Sequence, residues 1–294
     1  MSERRPQTAA VPTPRIPFFE LNRLEPLAAG GDEAVCATEV TAWLAGTPEM
    51  GIQAAACALG DAVHMYAASS RRKEGSMPVT VELRLDFWAD PPPLGSRLVG
   101  RAAVEPATGD ILLVRGQIEA GPTIVATGVV RALMAQAGDA PPQNAAAPRL
   151  PTVEIVPSIR GLHHDGQGVD AVLQLPAARL ARLELTALGE GAVELAASPG
   201  PELERTDGVV HGGAVVVLGS LVSACVLASD VSPGAHVRRL GVSAEFLRPT
   251  PIGVPLRLRA RVVHRTKRLA NVHAEIASEN GRPTARIYES VAIE

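Results

Sequence analysis

The sequence predicts an α+β protein built twice over, each half a long antiparallel sheet wrapped around one central helix. Three observations predict it. The stretch Ala214 to Ala228 is apolar apart from Gly219, Ser220 and Ser223, and it follows directly on His211-Gly212-Gly213. It is too short for a membrane span, which needs about 20 apolar residues, so it reads as a buried core helix. A worn copy of the same segment stands in the first half, where Gly51-Ile52-Gln53-Ala54 leads into Ala55 to Ala62. Leu59 and Leu218 lie 159 positions apart, and so do Phe87 and Phe246, Asp86 and Glu245, and Pro92 and Pro251. One residue is then lost in the turn, after which Leu98 falls on Leu256 and Ala102 on Ala260. Finally, each helix is followed by four long Val/Leu/Ile-rich stretches separated by turn signals, the pattern of a curved antiparallel sheet.

In chain order, residues 1–16 are polar and proline-bearing and read as a loose tail. The first unit, 17–134, opens with an alternating stretch at Val35 to Thr41 and a helix over 52–70. Strands are expected at Pro78–Trp88, Arg97–Glu105, Ile111–Glu119 and Ile124–Leu133. They are punctuated by Asp90-Pro91-Pro92-Pro93, Thr108-Gly109-Asp110 and Ala120-Gly121-Pro122. Residues 135–151 are an Ala/Pro linker by composition. The second unit, 152–294, repeats the plan. Alternating segments at Leu183–Leu188 and Ala192–Ala197 precede a helix over 212–229. Strands then follow at Val237–Leu247, Pro255–His264, Leu269–Ser278 and Thr284–Ile293. Residues 152–180 have no partner in the first unit; Val153–Val156 and Ala171–Leu175 read as short strands.

Composition narrows the function classes. The chain has 294 residues, 46% of them hydrophobic and 20% charged, which suits two folded domains rather than a disordered chain. A formal net charge of −3 gives no reason to expect nucleic acid as a partner. Met1 to Arg15 lacks the apolar core of a secretion signal. Cys36, Cys57 and Cys225 are odd in number and lack metal-ligand spacing, so they read as small buried hydrophobes of a reducing compartment. A cytoplasmic protein with no membrane contact, no metal and no cofactor is expected. His163-His164-Asp165 is the one grouping that invites a metal, but neighbouring residues on an extended segment point to opposite faces.

The chemistry is concentrated at His211-Gly212-Gly213. Two residues without side chains let backbone N–H groups approach a ligand, and the N-terminus of a helix stabilises a negative oxygen, resting or developing. The bland alternative is a loop histidine that merely caps the helix. Asp61 shares a helical stripe with Ala54, Cys57, Ala58, Met65 and Ala68, where a carboxylate is costly unless hydrogen-bonded or useful. A partly exposed, capped Asp is the alternative there.

The tripeptide within Gly208-Val209-Val210-His211-Gly212-Gly213, with Leu218, Phe246-Leu247-Arg248-Pro249, Gly253 and Lys267-Arg268-Leu269-Ala270, resembles the hotdog-fold acyl-CoA thioesterases. The closest likeness is to the phenylacetate-degradation and 4-hydroxybenzoyl-CoA type. Residues 183–294 carry the resemblance in motif, and residues 18–134 in plan only. It implies a double hotdog, a dimer of the usual unit folded within one chain. In that family an acidic residue stands nine places after the histidine, and the site lies at the interface of two subunits. Here nine after His211 is Ser220, whereas nine after Ile52, the counterpart of the histidine, is Asp61.

Each half is therefore broken alone, but Asp61 of one unit and His211-Gly212-Gly213 of the other complete one site. The opposite pair, Ile52 and Ser220, is expected to face an apolar, disabled space. The resemblance assigns Asp61 as base or nucleophile, the Gly212 N–H as oxyanion donor and His211 as an orienting group. Gly213 and Arg205 would border the substrate, Arg205 standing where relatives often carry an Asn; His64, one turn after Asp61, joins them by bonding its carboxylate or else simply faces solvent. Independently of the resemblance, Arg238 and Arg239, and Arg71-Arg72-Lys73 at the same place in the first copy, are either solvated faces or, in one of the two, a hold for coenzyme A phosphates. The acyl chain would lie between the two helices, beside Ala55, Ala58, Ala214 and Val217. Acyl-CoA hydrolysis is thus the leading expectation, in a homodimer of double-hotdog chains. A non-catalytic binder of acyl-CoA or of a carrier-protein thioester, and a hydratase or dehydratase on the same fold, are the rivals.

Overall fold

The computed structural model describes residues 16–45, 51–106, 109–136, 167–206, 208–231 and 235–294. The tail before Ile16, most of the expected linker, Val153–Val156 and His163-His164-Asp165 lie outside them. The first unit contains helix α1 (Pro17–Leu21), strands β1 (Glu25–Gly30) and β2 (Glu33–Glu39), and helix α2 (Ala54–Ser69). Strands β3 (Ser76–Phe87), β4 (Arg97–Val104), β5 (Ile111–Ala120) and β6 (Thr123–Gln136) follow. Helices α3 (Gln167–Leu173) and α4 (Pro176–Leu180) lead into strands β7 (Glu184–Gly189) and β8 (Ala192–Ala197), and a 3-10 turn (Pro201–Leu203) into the short pair β9 (Glu204–Thr206) and β10 (Val209–Val210). Helix α5 (Gly212–Asp230) and strands β11 (Val237–Phe246), β12 (Leu256–Arg265), β13 (Leu269–Ser278) and β14 (Pro283–Ile293) complete the chain.

Twelve strands form one antiparallel sheet in the order β1-β2-β4-β5-β6-β3-β11-β14-β13-β12-β8-β7. Read from either edge, the order visits equivalent strands of the two units, which is the signature of a twofold. The register locates the axis. Across the central β3–β11 pair Arg84 lies opposite Ser243, two residues that the 159-residue offset makes equivalent, so the pseudo-dyad passes between them. The fold is a double hotdog, as the repeat implies.

The sheet curls around α2 and α5, which pack side by side. Alanine gives α2 the highest intrinsic helix propensity, but α5 is rich in β-branched valine and owes its stability to burial. Sixteen of its 19 residues are buried, and each large apolar side chain so buried contributes roughly 1.5–3 kcal/mol. By length and composition α5 passes for a membrane span, yet it is enclosed by protein. Its glycines admit neighbours: a Cβ on Gly219 would sit 2.6 Å from the Ile287 side chain, and one on Gly213 would sit 2.9 Å from the Ala58 Cα.

That last contact corrects the expected acyl channel. Ala55, Ala58, Ala214 and Val217 are 0–3% exposed, and with Gly213 they bring the two helices together instead of leaving room between them. Two local expectations also change. Ala171–Leu175, read as a strand, belongs to the end of α3 and the turn after it, because a short apolar run looks alike in either state. Strand β1 was not foreseen; its sequence EPLAAG is mostly exposed and lies at the sheet edge, where proline is tolerated.

Candidate active site

The site lies where the middle of α2 meets the N-terminus of α5. Asp61, 2% exposed, projects from α2 against the first turn of α5. Its Oδ2 accepts the Gly213 N–H at 2.9 Å and lies 3.3 Å from His211 Nδ1, while Oδ1 accepts the Thr80 hydroxyl at 2.9 Å. These partners, with the positive end of the α5 dipole, offset the cost of burying a carboxyl group between two helices. The two glycines are required for different reasons. A Cβ on Gly212 would meet Asp61 Oδ2 at 2.6 Å, and a Cβ on Gly213 would meet the α2 backbone. The Gly212 N–H, first in the helix, makes no hydrogen bond among the described residues, so it is one of the free donors that any helix start carries.

His211 is the N-cap of α5, with its backbone extended and its ring 4% exposed. Gly213 N also lies 3.1 Å from His211 Nδ1. The same N–H cannot serve both acceptors fully. A proton on Nδ1 directed at Asp61, with the Gly213 N–H directed at the carboxylate, satisfies all three groups. Burial pushes the His211 pKa down to about 4, against the pull of Asp61, with Arg205 adding to the depression. The ring is therefore neutral near pH 7. It is sandwiched by α1: the Phe18 ring stacks on it at 4.2 Å and Phe19 meets it edge-on at 5.3 Å. Arg205 on β9 is near enough to act on His211 electrostatically, and its Nε is buried without a hydrogen-bond partner.

Two expected site residues lie elsewhere. His64 is fully buried beneath the sheet, its Nδ1 2.6 Å from the Gly60 carbonyl and its ring against Gly116 and Gly128, which face each other across β5 and β6. It cannot touch substrate. Arg239 is 1% exposed and salt-bridged to Glu289, so it holds no coenzyme A phosphate. Arg238 reaches Glu294 at 3.5 Å at the C-terminal end of the sheet, and Arg71 in the first copy is taken up by Asp32.

The pseudo-equivalent site is not the apolar space expected for Ile52 and Ser220. It is buried and ionic. The Ser220 hydroxyl donates to Glu289 Oε1 at 2.6 Å, Arg239 Nη1 pairs with Glu289 Oε2, and Arg239 Nη2 donates to the Ser220 carbonyl at 2.9 Å. Burial lowers the Arg239 pKa to about 10, which leaves it charged at neutral pH. By the 159-residue offset Arg239 is the counterpart of Thr80, and by strand register Glu289, opposite Val242, is the counterpart of Val130, opposite Leu83. Thr80 was missed from sequence, although polar residues at this helix-facing strand position in both copies were a signal. Phe18 and Phe19 were also missed, although an adjacent pair is unusual in a chain with four phenylalanines. Among the described residues no cluster of His, Cys, Asp or Glu is suited to a metal.

Residues 207–285 match the model of the thioesterase superfamily. Among curated proteins no sequence matches. Solved structures share the fold along nearly the whole chain. The TesB protein of Mycobacterium avium subs paratuberculosis aligns at 11% identity and a TM-score of 0.60, covering 92% of this chain and 96% of that one. A hot dog fold protein from Alicyclobacillus acidocaldarius aligns at 14% and 0.58, over 88% and 93%. An acyl-CoA thioesterase II from Mycobacterium marinum aligns at 11% and 0.55, over 88% and 93%.

Proposed function

With a double hotdog whose second unit carries the thioesterase-superfamily pattern as the premise, we propose that the protein hydrolyses an acyl-CoA thioester to a carboxylate and free coenzyme A. The reaction takes place at one site per chain, built from Asp61, Gly212, Gly213 and His211. The observation that carries this reading is the meeting of Asp61 with the N-terminus of α5 across the two units. A carboxylate oxygen thus stands beside a helix start whose first N–H is unpaired.

In this reading the thioester carbonyl oxygen points at the Gly212 N–H. Asp61 takes a proton from water as its oxygen attacks the carbonyl carbon. The tetrahedral oxyanion is held by the helix N-terminus. Collapse breaks the carbon–sulfur bond, and the proton passes from Asp61 to the departing sulfur. Thr80 and the Gly213 N–H orient the carboxylate, and neutral His211 fixes the helix start and the wall beside it. Direct attack by Asp61 to give a transient anhydride uses the same atoms, with water cleaving that anhydride in a second step. Oxygen-18 from labelled water appearing in Asp61 during a single turnover, by water attack on the aspartyl carbonyl, marks the anhydride route. Association of two chains through their outer sheet faces belongs to the same proposal and is read by light scattering.

The test is thiol release from a panel of acyl-CoA esters. Asp61→Asn keeps the shape but removes the base, so kcat should fall by at least about 100-fold. Full activity in Asp61→Asn would reject the site.

A further inference from the structure

Asp61 and His211 are 2% and 4% exposed, so an acyl-CoA cannot reach them with the chain as it stands. What closes the site is α1. This five-residue helix belongs to the first unit but lies on the 3-10 turn at Pro201–Leu203 and on β9 of the second. Phe18 is fully buried, stacked on the His211 ring and edge-on to Trp43 at 6.0 Å. Phe19 stacks on Tyr66 at 5.8 Å. The C-terminal end of the helix is pinned: the Asn22 side chain bonds the Phe18 carbonyl, and Thr38 bonds the Asn22 carbonyl. Next to the pin, Arg23 has φ +48°, a conformation that non-glycine residues rarely hold. The first turn has no side-chain cap. In the closed arrangement the Trp43 indole nitrogen, the Tyr66 hydroxyl and the Asn22 side-chain oxygen are buried without hydrogen-bond partners, a state that costs free energy for each group.

We infer that α1 is a lid over the Asp61 site, and that the space filled by Phe18 and Phe19 is the berth of the substrate's acyl group. The inference rests on the reading of Asp61 as the place of thioester cleavage. Swinging α1 about Asn22 and Arg23 exposes a slot walled by the Trp43, Tyr66 and His211 rings, running to the α5 N-terminus. The slot accepts an apolar acyl group in place of the two phenyl rings. With α2 and α5 packed together at Ala58 and Gly213, this is where the acyl group has room.

The test locks the lid. In a Trp88→Phe background, Trp43 is the sole tryptophan and reports on Phe18. Trp88 itself is an exposed residue away from the site. Phe19→Cys with Tyr66→Cys allows α1 and α2 to be bridged through disulfides by a short bifunctional methanethiosulfonate, since the two native rings lie 5.8 Å apart. The native thiols stay silent, since Cys36, Cys57 and Cys225 are buried and their pKa values are pushed up to about 12. Binding is read with a non-hydrolysable acyl-CoA thioether, and turnover by thiol release. Unlocked protein should show a saturable change in Trp43 emission with the thioether but not with free coenzyme A. Locking should lower turnover at least about tenfold, as expected for a step gated by lid opening, and reduction of the disulfides should restore it. Phe18→Ala, which removes a ring that competes for the slot, should lower KM across the acyl-CoA panel. Unchanged turnover in protein whose cross-link is verified by mass would overturn the lid. Thioether binding that locking abolishes, without thiol release in any state, would uphold the lid and overturn hydrolysis.

Discussion

The two ends of the α2–α5 pair occupy equivalent places about the pseudo-dyad and have gone opposite ways. At one end a carboxylate is held by a helix N-terminus, a threonine hydroxyl and a neutral histidine, with one helix N–H left free. At the other, Ser220 replaces the acid, and an arginine and a glutamate fill the space and consume each other's charge. In the proposed reading, duplication let one chain keep a single site at the Asp61 end, while the Ser220 end became an internal ion pair. The difference shows that burying ionisable groups does not make a site. What separates the ends is whether donors remain free to meet a reacting oxygen.

The largest effect is expected at the ionic end. Glu289→Ala leaves the Arg239 guanidinium buried and unpaired, which should cost about 3–5 kcal/mol in urea unfolding. Replacing both partners, Arg239→Met with Glu289→Leu, should recover most of that loss with turnover retained. If Glu289→Ala were as stable as the parent, the pair would not be the structural element described.

A smaller effect separates the ends by pH. His211 has a folded pKa of about 4, below its unfolded value of 6.5. Between these values only the unfolded chain takes up the proton, so stability is full above pH 6.5 and declines as pH falls toward 4. The linkage amounts to roughly 3 kcal/mol. Buried His64, whose pKa is also lowered by burial, adds to the slope. His211→Gln should flatten part of the stability–pH curve. An unchanged curve would show that the ring is not buried neutral. The smallest effect is that of Ser220→Ala, which deletes one hydrogen bond to Glu289. A loss of about 1 kcal/mol or a little more is expected, with kcat unchanged.

These expectations depend on what local sequence does and does not carry. The offset linking Leu59 with Leu218 and Phe87 with Phe246 revealed the duplication, because spacing survives where identity has decayed. The pairing of Asp61 with His211-Gly212-Gly213 followed from the family's interface site, once each half was seen to lack one component. Arg239 was misread because a cluster of two arginines looks like a solvated face, and its partner Glu289 lies 50 residues away. Thr80 shows only when the two copies are compared, where Arg239 stands at the same strand position, because its role exists only where β3 passes Asp61. The importance of α1 is likewise set by its docking on the other unit, which no periodicity encodes.

The central claim is one working site per chain, at the Asp61 end. It is tested most directly by calorimetric titration with a non-hydrolysable acyl-CoA thioether, comparing the parent with Gly212→Val, whose side chain would project into the Asp61 carboxylate. The account predicts one equivalent bound per chain in the parent and none in the variant. Two equivalents in the parent, or binding that survives Gly212→Val undiminished, would contradict it.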